Sequence, residues 1–204
     1  MTITTYATLQ TQVAAFLNRE DLTANIPTFI QMAEASMNRR LRHWRMSKQF
    51  TATIDARYSA IPVDWLETVR FNIAGDEGSA PLDVLGHSAM AEMRQSYNVA
   101  GKPRFYAMVG GDFEFYPTPD TEYTGNLLYQ AKIPTLSDSN TTNWLLDYAP
   151  DAYLYMALTH SAPFLQEDSR LAVWGGLSAD AIGGLNEESE RAKHSGSGLK
   201  VRMR

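Results

Sequence analysis

The chain has 204 residues, of which 44% are hydrophobic and 20% are charged. This length and composition predict one globular domain, or one body with an inserted lobe, and they exclude a disordered chain. Cysteine is absent, which excludes disulfides, thiolate zinc sites and cysteine nucleophiles. No apolar run approaches the roughly 20 residues of a membrane helix, and the first residues lack a secretion-signal pattern. We therefore expect a protein that is used without export and has no membrane partner.

Basic residues are concentrated in two stretches that contain no acidic residue. The stretch 38–48 holds Arg39, Arg40, Arg42, Arg45 and Lys48. The stretch 191–204 holds Arg191, Lys193, Lys200, Arg202 and Arg204. Outside these ten, eight basic residues stand against 23 acidic ones. An acidic body with two basic segments predicts charge-guided docking, and the first stretch is a candidate docking patch. The alternative is that its first arginines only complement a helix C-terminus.

Two helices are predicted at the start of the chain. Leu9, Val13, Phe16 and Leu17 recur at helical spacing and form one apolar stripe. After a polar break, Asn25 is a candidate N-cap of the second helix, with Pro27 in its first turn. The apolar face of that helix consists of Ile26, Ile30, Ala33, Met37 and Leu41.

From Gln49 to about Pro134 the hydrophobic period changes to two, which predicts strands. The predicted strands include QFTATI, YSAIPV, LETVRFNI, a weak strand around Leu82–Val84, and GNLLYQAKI. A short helix is predicted over Ser88–Tyr97 from the spacing of its methionines.

The stretch GKPRFYAMVGGDFEFYPTPD, residues 101–120, is the most distinctive in this region. Gly110-Gly111 lacks the spacing of a phosphate-binding loop, whereas two glycines supply the positive φ of a two-residue hairpin turn. Asp112 and Glu114 alternate with aromatic residues, so the two acids share the face opposite the rings. They could be a catalytic carboxylate pair or the solvated side of a half-buried hairpin, and the sequence favours the second interpretation.

Helical patterns return after Pro134. Asn143–Tyr148 predicts one helical turn, and Asp151 is a candidate cap for a helix that runs to about Leu165. Asp168 is a candidate cap for the last helix, whose inward residues are predicted to be Leu171, Trp174, Leu177, Ile182 and Leu185.

Two glycine pairs, Gly175-Gly176 and Gly183-Gly184, lie within this last helix. Each interior glycine costs up to about 1 kcal/mol relative to alanine, so a close approach of another helix is expected to explain them.

These elements predict an α+β fold. An antiparallel helical bundle of two N-terminal and two C-terminal helices carries an inserted β-rich lobe. The bundle is assigned to 1–48 and 135–192, and the lobe with its hairpin to 49–134. Residues 193–204 are expected to form a flexible basic tail behind a Gly/Ser hinge.

No pattern of a catalytic or metal site emerges from the sequence. His43, His87, His160 and His194 lack the spacing of metal ligands, and Ser178 lacks the closing glycine of a nucleophile elbow. We therefore expect no enzymatic activity, no cofactor and no metal. The basic stretch with Trp44 could contact phosphates and stack on bases, but the net charge of −5 favours a local docking patch.

The order of several longer stretches resembles the head-to-tail adaptor proteins of tailed bacteriophages, including the tail tubular protein A type. The similarity covers roughly residues 20–192 and runs through FIQMAEASMNRRLRHWRM, AIPVDWLETVRF, the 101–120 stretch and LLYQAKIPTLSDSNTTNWLLDYAPDAYLYMALTHSAPFLQEDSRLAVW. The single motifs are loose, and their order carries the resemblance.

This resemblance implies a structural virion protein of the head–tail interface, present in the host cytoplasm during assembly. Copies would form a ring, typically a dodecamer, beneath the portal protein, and a tail nozzle, stopper or tail-tube protein would attach below. Genomic DNA would pass through the ring without sequence-specific binding. The alternatives are a phage DNA-binding or packaging accessory protein and, less favoured, a carbohydrate-active enzyme that uses Glu114.

The resemblance also suggests two further contact regions. The hairpin would contribute to contacts within the ring or with the tail through Tyr106, Met108, Gly110, Gly111, Phe113 and Phe115. The C-terminal tail would dock on the portal. Its apolar and basic residues alternate as in a strand, which suits addition to the sheet edge or groove of a partner. The candidate tail residues are Leu199, Lys200, Val201, Arg202, Met203 and Arg204.

Overall fold

The computed structural model describes residues 2–75, 81–165 and 169–195. Its described part contains six α-helices and two β-sheets, which confirms the α+β class. The chain divides into two compact units. Met1–Met46 together with Ile133–Arg204 forms one, called the helical unit below, and Ser47–Lys132 forms the other, called the β unit.

Five of the α-helices belong to the helical unit. They are α1 (Tyr6–Leu17), α2 (Ile26–Arg40), α4 (Trp144–Tyr148), α5 (Pro150–His160) and α6 (Arg170–His194). Helix α5 packs against α1, α2 and α6. The predicted apolar face of α2 is buried along its whole length, and Leu9, Val13 and Leu17 of α1 are buried with it. Phe16 is the exception in that stripe because it is 41% exposed.

The C-terminal half of the helical unit differs from the predicted helix ends. Asp151 is not a cap: Ala149 occupies the N-cap, Pro150 is the first helical residue, and Asp151 lies in the first turn of α5. The helix ends at His160, and a 3₁₀ turn follows at Ala162–Phe164. Proline at position 163 explains the early end, since it has no N–H to continue the helix.

The last helix, α6, extends further toward the C-terminus than predicted. The predicted cap Asp168 lies outside the described residues. Helix α6 continues to His194, so Lys193, which we assigned to the tail, is helical. Leu177, predicted to face inward, is 39% exposed, whereas Trp174, Ile182 and Leu185 are buried as predicted.

The glycine pairs of α6 do not mark a close helix contact within the described chain. A Cβ built on Gly175, Gly176, Gly183 or Gly184 would meet no atom within 4 Å. The expected close approach is therefore wrong for the residues that the structure describes, where these glycines lower helix stability without a packing contact that compensates for it.

We expect Gly176→Ala and Gly183→Ala each to stabilise the helical unit by up to about 1 kcal/mol, because alanine has the higher helix propensity and space is available. Thermal unfolding of the single and double variants measures this. Unchanged or lower stability would mean that a backbone effect other than helix propensity controls these positions.

The described part of the β unit contains seven strands and one helix. The strands are β1 (Ser47–Ile54), β2 (Tyr58–Ala60), β3 (Trp65–Ile73), β4 (Asp83–Val84), β5 (Phe105–Val109), β6 (Asp112–Tyr116) and β7 (Tyr123–Ala131), and the helix is α3 (His87–Ser96). The first sheet has the order β1-β7-β3 and the second has the order β2-β6-β5-β4. Although β1 and β2 are adjacent in the chain, they belong to different sheets.

The core of the β unit is aromatic. The ring of Phe71, on β3, lies 5.3 to 5.6 Å from the rings of Tyr106, Phe113 and Phe115 on β5 and β6. The two sheets are therefore joined through edge-on ring contacts, which are favourable aromatic geometries. Leu127 and Tyr129 of β7 are buried in the same cluster.

The predicted hairpin is confirmed. Strands β5 and β6 are antiparallel, Val109 pairs with Asp112, and Gly110 has a φ of +63°. Gly110 and Gly111 form the two-residue turn between these strands. A strand follows the turn, whereas a phosphate-binding loop leads into a helix, so the glycines do not form such a loop.

The other face of this hairpin is covered by α3 rather than by solvent. Met90 of α3 packs with Ala107 and Tyr116, and the Tyr116 hydroxyl donates to the carbonyl of Tyr97 at 2.6 Å. Glu114 lies on that covered face and is 6% exposed. Our interpretation of Asp112 and Glu114 as solvated residues is therefore wrong for Glu114. The alternation of polar and aromatic residues shows which side chains share a face, but it does not show that a helix covers that face.

Candidate functional site

The predicted basic patch divides between the two units. Arg39 and Arg40 are exposed in the last turn of α2, and Arg42 and Arg45 follow in the helical unit. Lys48 belongs to the β unit, where its Nζ lies 2.7 Å from Asp64 Oδ2. The patch proper is thus formed by the four arginines, and Lys48 already has a carboxylate partner.

Helix α6 holds the segment that carries the second half of the patch. The N–H of Arg42 donates to Asn186 Oδ1 at 2.8 Å, and the N–H of Trp44 donates to Ser189 Oγ at 2.9 Å. The Arg42 guanidinium donates to the carbonyls of Leu41 and Asn38 at 2.7 and 3.1 Å. The Arg42 guanidinium caps the Asn38 carbonyl, which the end of α2 leaves unpaired, and the two bonds to α6 fix the path of residues 41–46.

Arg45 makes cation–π contacts with two aromatic rings. Its Cζ is 4.3 Å from the centroid of Tyr148 and 5.2 Å from that of Trp44. Both rings are partly accessible, Trp44 at 45% and Tyr148 at 40% exposure. The Tyr148 hydroxyl donates to Glu188 Oε1, which fixes this ring against α6. We call Trp44, Arg45 and Tyr148 the aromatic clamp.

His43 lies fully buried beneath the clamp. Its ring stacks on Trp144 at 5.3 Å, and its Nδ1 accepts a hydrogen bond from the Arg45 N–H at 3.3 Å. Its Nε2 has no hydrogen-bond partner in the described chain. Burial lowers the pKa of His43 below its usual value; Arg45 and Lys193 act in the same direction, while Glu188 opposes them. The imidazole is consequently neutral at pH 7.

This lowered pKa predicts a loss of stability on acidification. The unfolded chain takes up the proton first, near pH 6.5, so stability is complete above that pH and falls as the pH drops toward the folded pKa of His43. We expect His43→Phe, which keeps the ring stack, to reduce the slope of stability against pH between pH 7 and 5. His160 contributes the same sign, since burial also lowers its pKa.

Urea unfolding at several pH values measures that slope. His87→Phe, at an exposed histidine of α3, is the matched control for the loss of one imidazole. An equal slope in His43→Phe and the wild type would contradict the assignment.

The predicted hairpin interface separates into a buried and an exposed part. Tyr106, Phe113 and Phe115 are at most 3% exposed and form the core of the β unit. They cannot also present their rings to a partner, so burial removes them from the candidate contact surface. Met108, Gly110 and Gly111 are exposed and constitute the accessible tip.

Glu114 has a structural environment. Its Oε1 accepts hydrogen bonds from Arg57 Nη2 at 2.6 Å and Arg94 Nε at 3.0 Å. Arg94 also donates to the carbonyl of Phe115 at 2.6 Å and to Thr118 Oγ1 at 2.9 Å, which ties α3 to the hairpin. Glu114 thus serves as the counter-ion of two arginines, and at 6% exposure it offers little access to a substrate.

Other predicted residues give no further site. Leu199–Arg204 lie outside the described residues. Within the described ranges, no group of three or more potential metal ligands occurs, and no helix is both long and apolar enough to span a membrane.

Sequence reasoning missed Tyr148, Trp144 and Glu188 as parts of the clamp and its support. They follow Arg45 by about a hundred residues or more, and no sequence pattern distinguishes them from other residues of their helices. Trp44-Arg45 was the available signal, because an aromatic residue beside an arginine suggests a stacked cation, but the second ring is supplied by tertiary structure.

Comparison with known families shows to which family this protein belongs. A family model described as SU10 adaptor protein matches residues 4–202. The chain belongs to this family. The adaptor is thus a structural phage protein and a component of the virion, with portal and tail components as its interaction partners. No curated protein matches the adaptor. The finer resemblance to the tail tubular protein A type stays a prediction.

Proposed function

We propose that the adaptor forms a closed ring, a dodecamer, beneath the portal vertex, where it extends the DNA channel and provides the platform for tail attachment. The family match over residues 4–202 is the observation that carries this proposal. The role needs no catalysis and no cofactor. The subunits would be present in the host cytoplasm during assembly. The assembled ring would lie at the head–tail interface of the virion.

Ring closure requires two different contact surfaces on each subunit, because a heterologous interface repeats head to tail. The patch of four arginines with the aromatic clamp is one candidate. The exposed hairpin tip, with Met108 and Val109 at 40% and 37% exposure, is a second. A tail nozzle, stopper or tail-tube protein is the proposed partner on the distal side.

We expect assembly to depend on the portal. Native mass spectrometry of the adaptor with and without portal protein should show a ring only, or far more readily, in the mixture. A stable two-fold dimer that does not bind the portal would contradict the proposal. In such a dimer the same surface of both subunits is buried, so it is not available for the head-to-tail contact of a ring.

The C-terminal tail is proposed as a portal-docking element, with Leu199, Val201 and Met203 on one side and the cations on the other. We expect deletion after His194 to leave thermal stability nearly unchanged, because the deleted residues follow the end of α6, yet to abolish binding to portal complexes. Truncated protein that binds portal with wild-type affinity would assign the contact to the folded units instead.

A DNA-binding or packaging accessory role is the second candidate, and the exposed Arg39, Arg40 and Arg45 beside Trp44 favour it. The overall charge of −5 opposes it. A channel protein should bind duplex DNA weakly at physiological salt and let it slide. Tight binding with a steep salt dependence, lost on substitution of these arginines, would support the accessory role.

A further inference from the structure

The Arg45 guanidinium of the aromatic clamp lacks an anionic partner among the described residues. Arg45 is exposed, and no carboxylate or carbonyl within the described chain accepts a hydrogen bond from its guanidinium. Exposed arginines usually lose considerable side-chain freedom on binding. Here the two rings at 4.3 and 5.2 Å restrict the guanidinium before any partner arrives.

The geometry determines which ligand such a group prefers. A cation–π contact engages the face of the aromatic ring and uses none of the five N–H donors of the guanidinium, so these donors stay available. Two parallel donors match the two oxygens of a carboxylate. Trp, Tyr and Arg are also the residues most enriched where a few side chains dominate the affinity of a protein interface.

We propose that the aromatic clamp binds an aspartate or glutamate side chain of a second copy of the chain. This inference rests on the proposed ring and names one contact that closes it. Subunits of net charge −5 repel one another at long range, so neighbours need a local contact between opposite charges. The patch of four arginines supplies the positive side, and the acidic excess elsewhere in the chain supplies the negative side.

The surroundings of the clamp favour a single carboxylate over a duplex. Glu188 accepts from the Tyr148 hydroxyl at the rim of the clamp, and Glu187 and Glu190 lie on the same helix. A DNA duplex carries one negative charge about every 1.7 Å of its axis, so it would bring several phosphates toward these acids. A single carboxylate brings one negative charge and meets less of that repulsion.

Position-specific photo-crosslinking identifies the occupant. Trp44→p-benzoylphenylalanine keeps a ring beside Arg45, and the variant is irradiated in the complex with portal protein. We expect a crosslinked product of twice the chain mass whose partner peptide comes from the adaptor and contains an acidic residue. Crosslinks to portal, to a tail protein or to DNA, or no crosslink while a probe at the exposed Tyr97 reacts, would overturn the inference.

Charge variants test the energetic role. We expect Arg45→Glu to reduce ring formation at least tenfold and Arg45→Lys to reduce it less, because lysine keeps the charge but loses the paired donors. The thermal stability of the unassembled variants should stay near that of the wild type. Arg104→Glu, at an exposed arginine of the β unit, is the control.

The outcomes separate the two proposals. If Arg45→Glu still forms normal rings on the portal, the inference about the aromatic clamp is wrong, but the proposed ring function is still supported. If wild-type protein with portal forms no ring, the proposed function itself fails, and the clamp assignment fails with it.

Discussion

Replacing Glu114 with glutamine is expected to destabilise the β unit by about 3 kcal/mol, at the lower end of the roughly 3–5 kcal/mol that follows loss of one partner from a buried ion pair. The Glu114 side chain is 8% exposed, and that of Arg94 is 13% exposed. Glutamine has nearly the same shape but no charge, so Arg94 would stay buried without a counter-ion. Arg57, at 44% side-chain exposure, can recover its hydration, which limits the loss.

Asp112→Asn is the matched control for this substitution. It makes the same chemical change two residues away on the same strand and face, where Asp112 is only half-buried. We expect its effect to stay within about 0.5 kcal/mol, as for most surface substitutions.

Hydrogen exchange localises the Glu114 effect. Protection should fall in β5, β6 and α3, which Arg94 joins, while the amides of the helical unit keep their rates. Unchanged stability of Glu114→Gln would show that the ion pairs contribute nothing. A turnover activity lost in this variant, with the fold intact, would revive the enzyme alternative.

Gly125→Val is expected to cost about 3 kcal/mol or more, the upper end for overpacking a well-filled core. Gly125 lies in β7 between Ala52 and Ile73, at the centre of the three-stranded sheet. A Cβ built there would lie 2.5 Å from Ile54 Cδ1 and 2.9 Å from Phe71 Cε2. The terminal methyl of Ile54 can rotate, but the Phe71 ring is held by three other aromatic rings.

The glycine controls come from the same chain. Gly111→Ala meets no atom within 4 Å and should be nearly neutral, whereas Gly110→Ala should cost about 1–2 kcal/mol because its φ of +63° is left-handed. Urea unfolding of the three variants gives the ranking. Gly125→Val with stability near that of Gly111→Ala would mean that the core can expand around the new side chain.

Local patterns predicted much of this fold. The i, i+4, i+7 spacing of α2, the alternation in β1, β3 and β7, and the Gly-Gly turn each specify one element from neighbouring residues alone. The hairpin was predicted from turn chemistry and forms as expected. The predicted helix ends were less accurate than the helices themselves. The hydrophobic period does not show that Ala149 is the N-cap of α5 or that α5 ends before Pro163.

Tertiary contacts explain what the sequence did not predict. Alternation placed Glu114 opposite Phe113 and Phe115 correctly, but only the packing of α3 on that face makes it a buried ion-pair partner. In the same way Arg45 was assigned to a basic patch, while the second ring of the clamp comes from Tyr148, far along the chain. The open surroundings of the α6 glycines likewise could not be inferred from helix propensity.

Electron microscopy of the purified protein, with and without its portal protein, tests the central claim most directly. The account predicts rings of twelve copies on the portal, coaxial with its channel, and few or none in the absence of portal. Portal particles that carry no added ring at saturating adaptor concentration, or a two-fold dimer attached beside the channel, would contradict it.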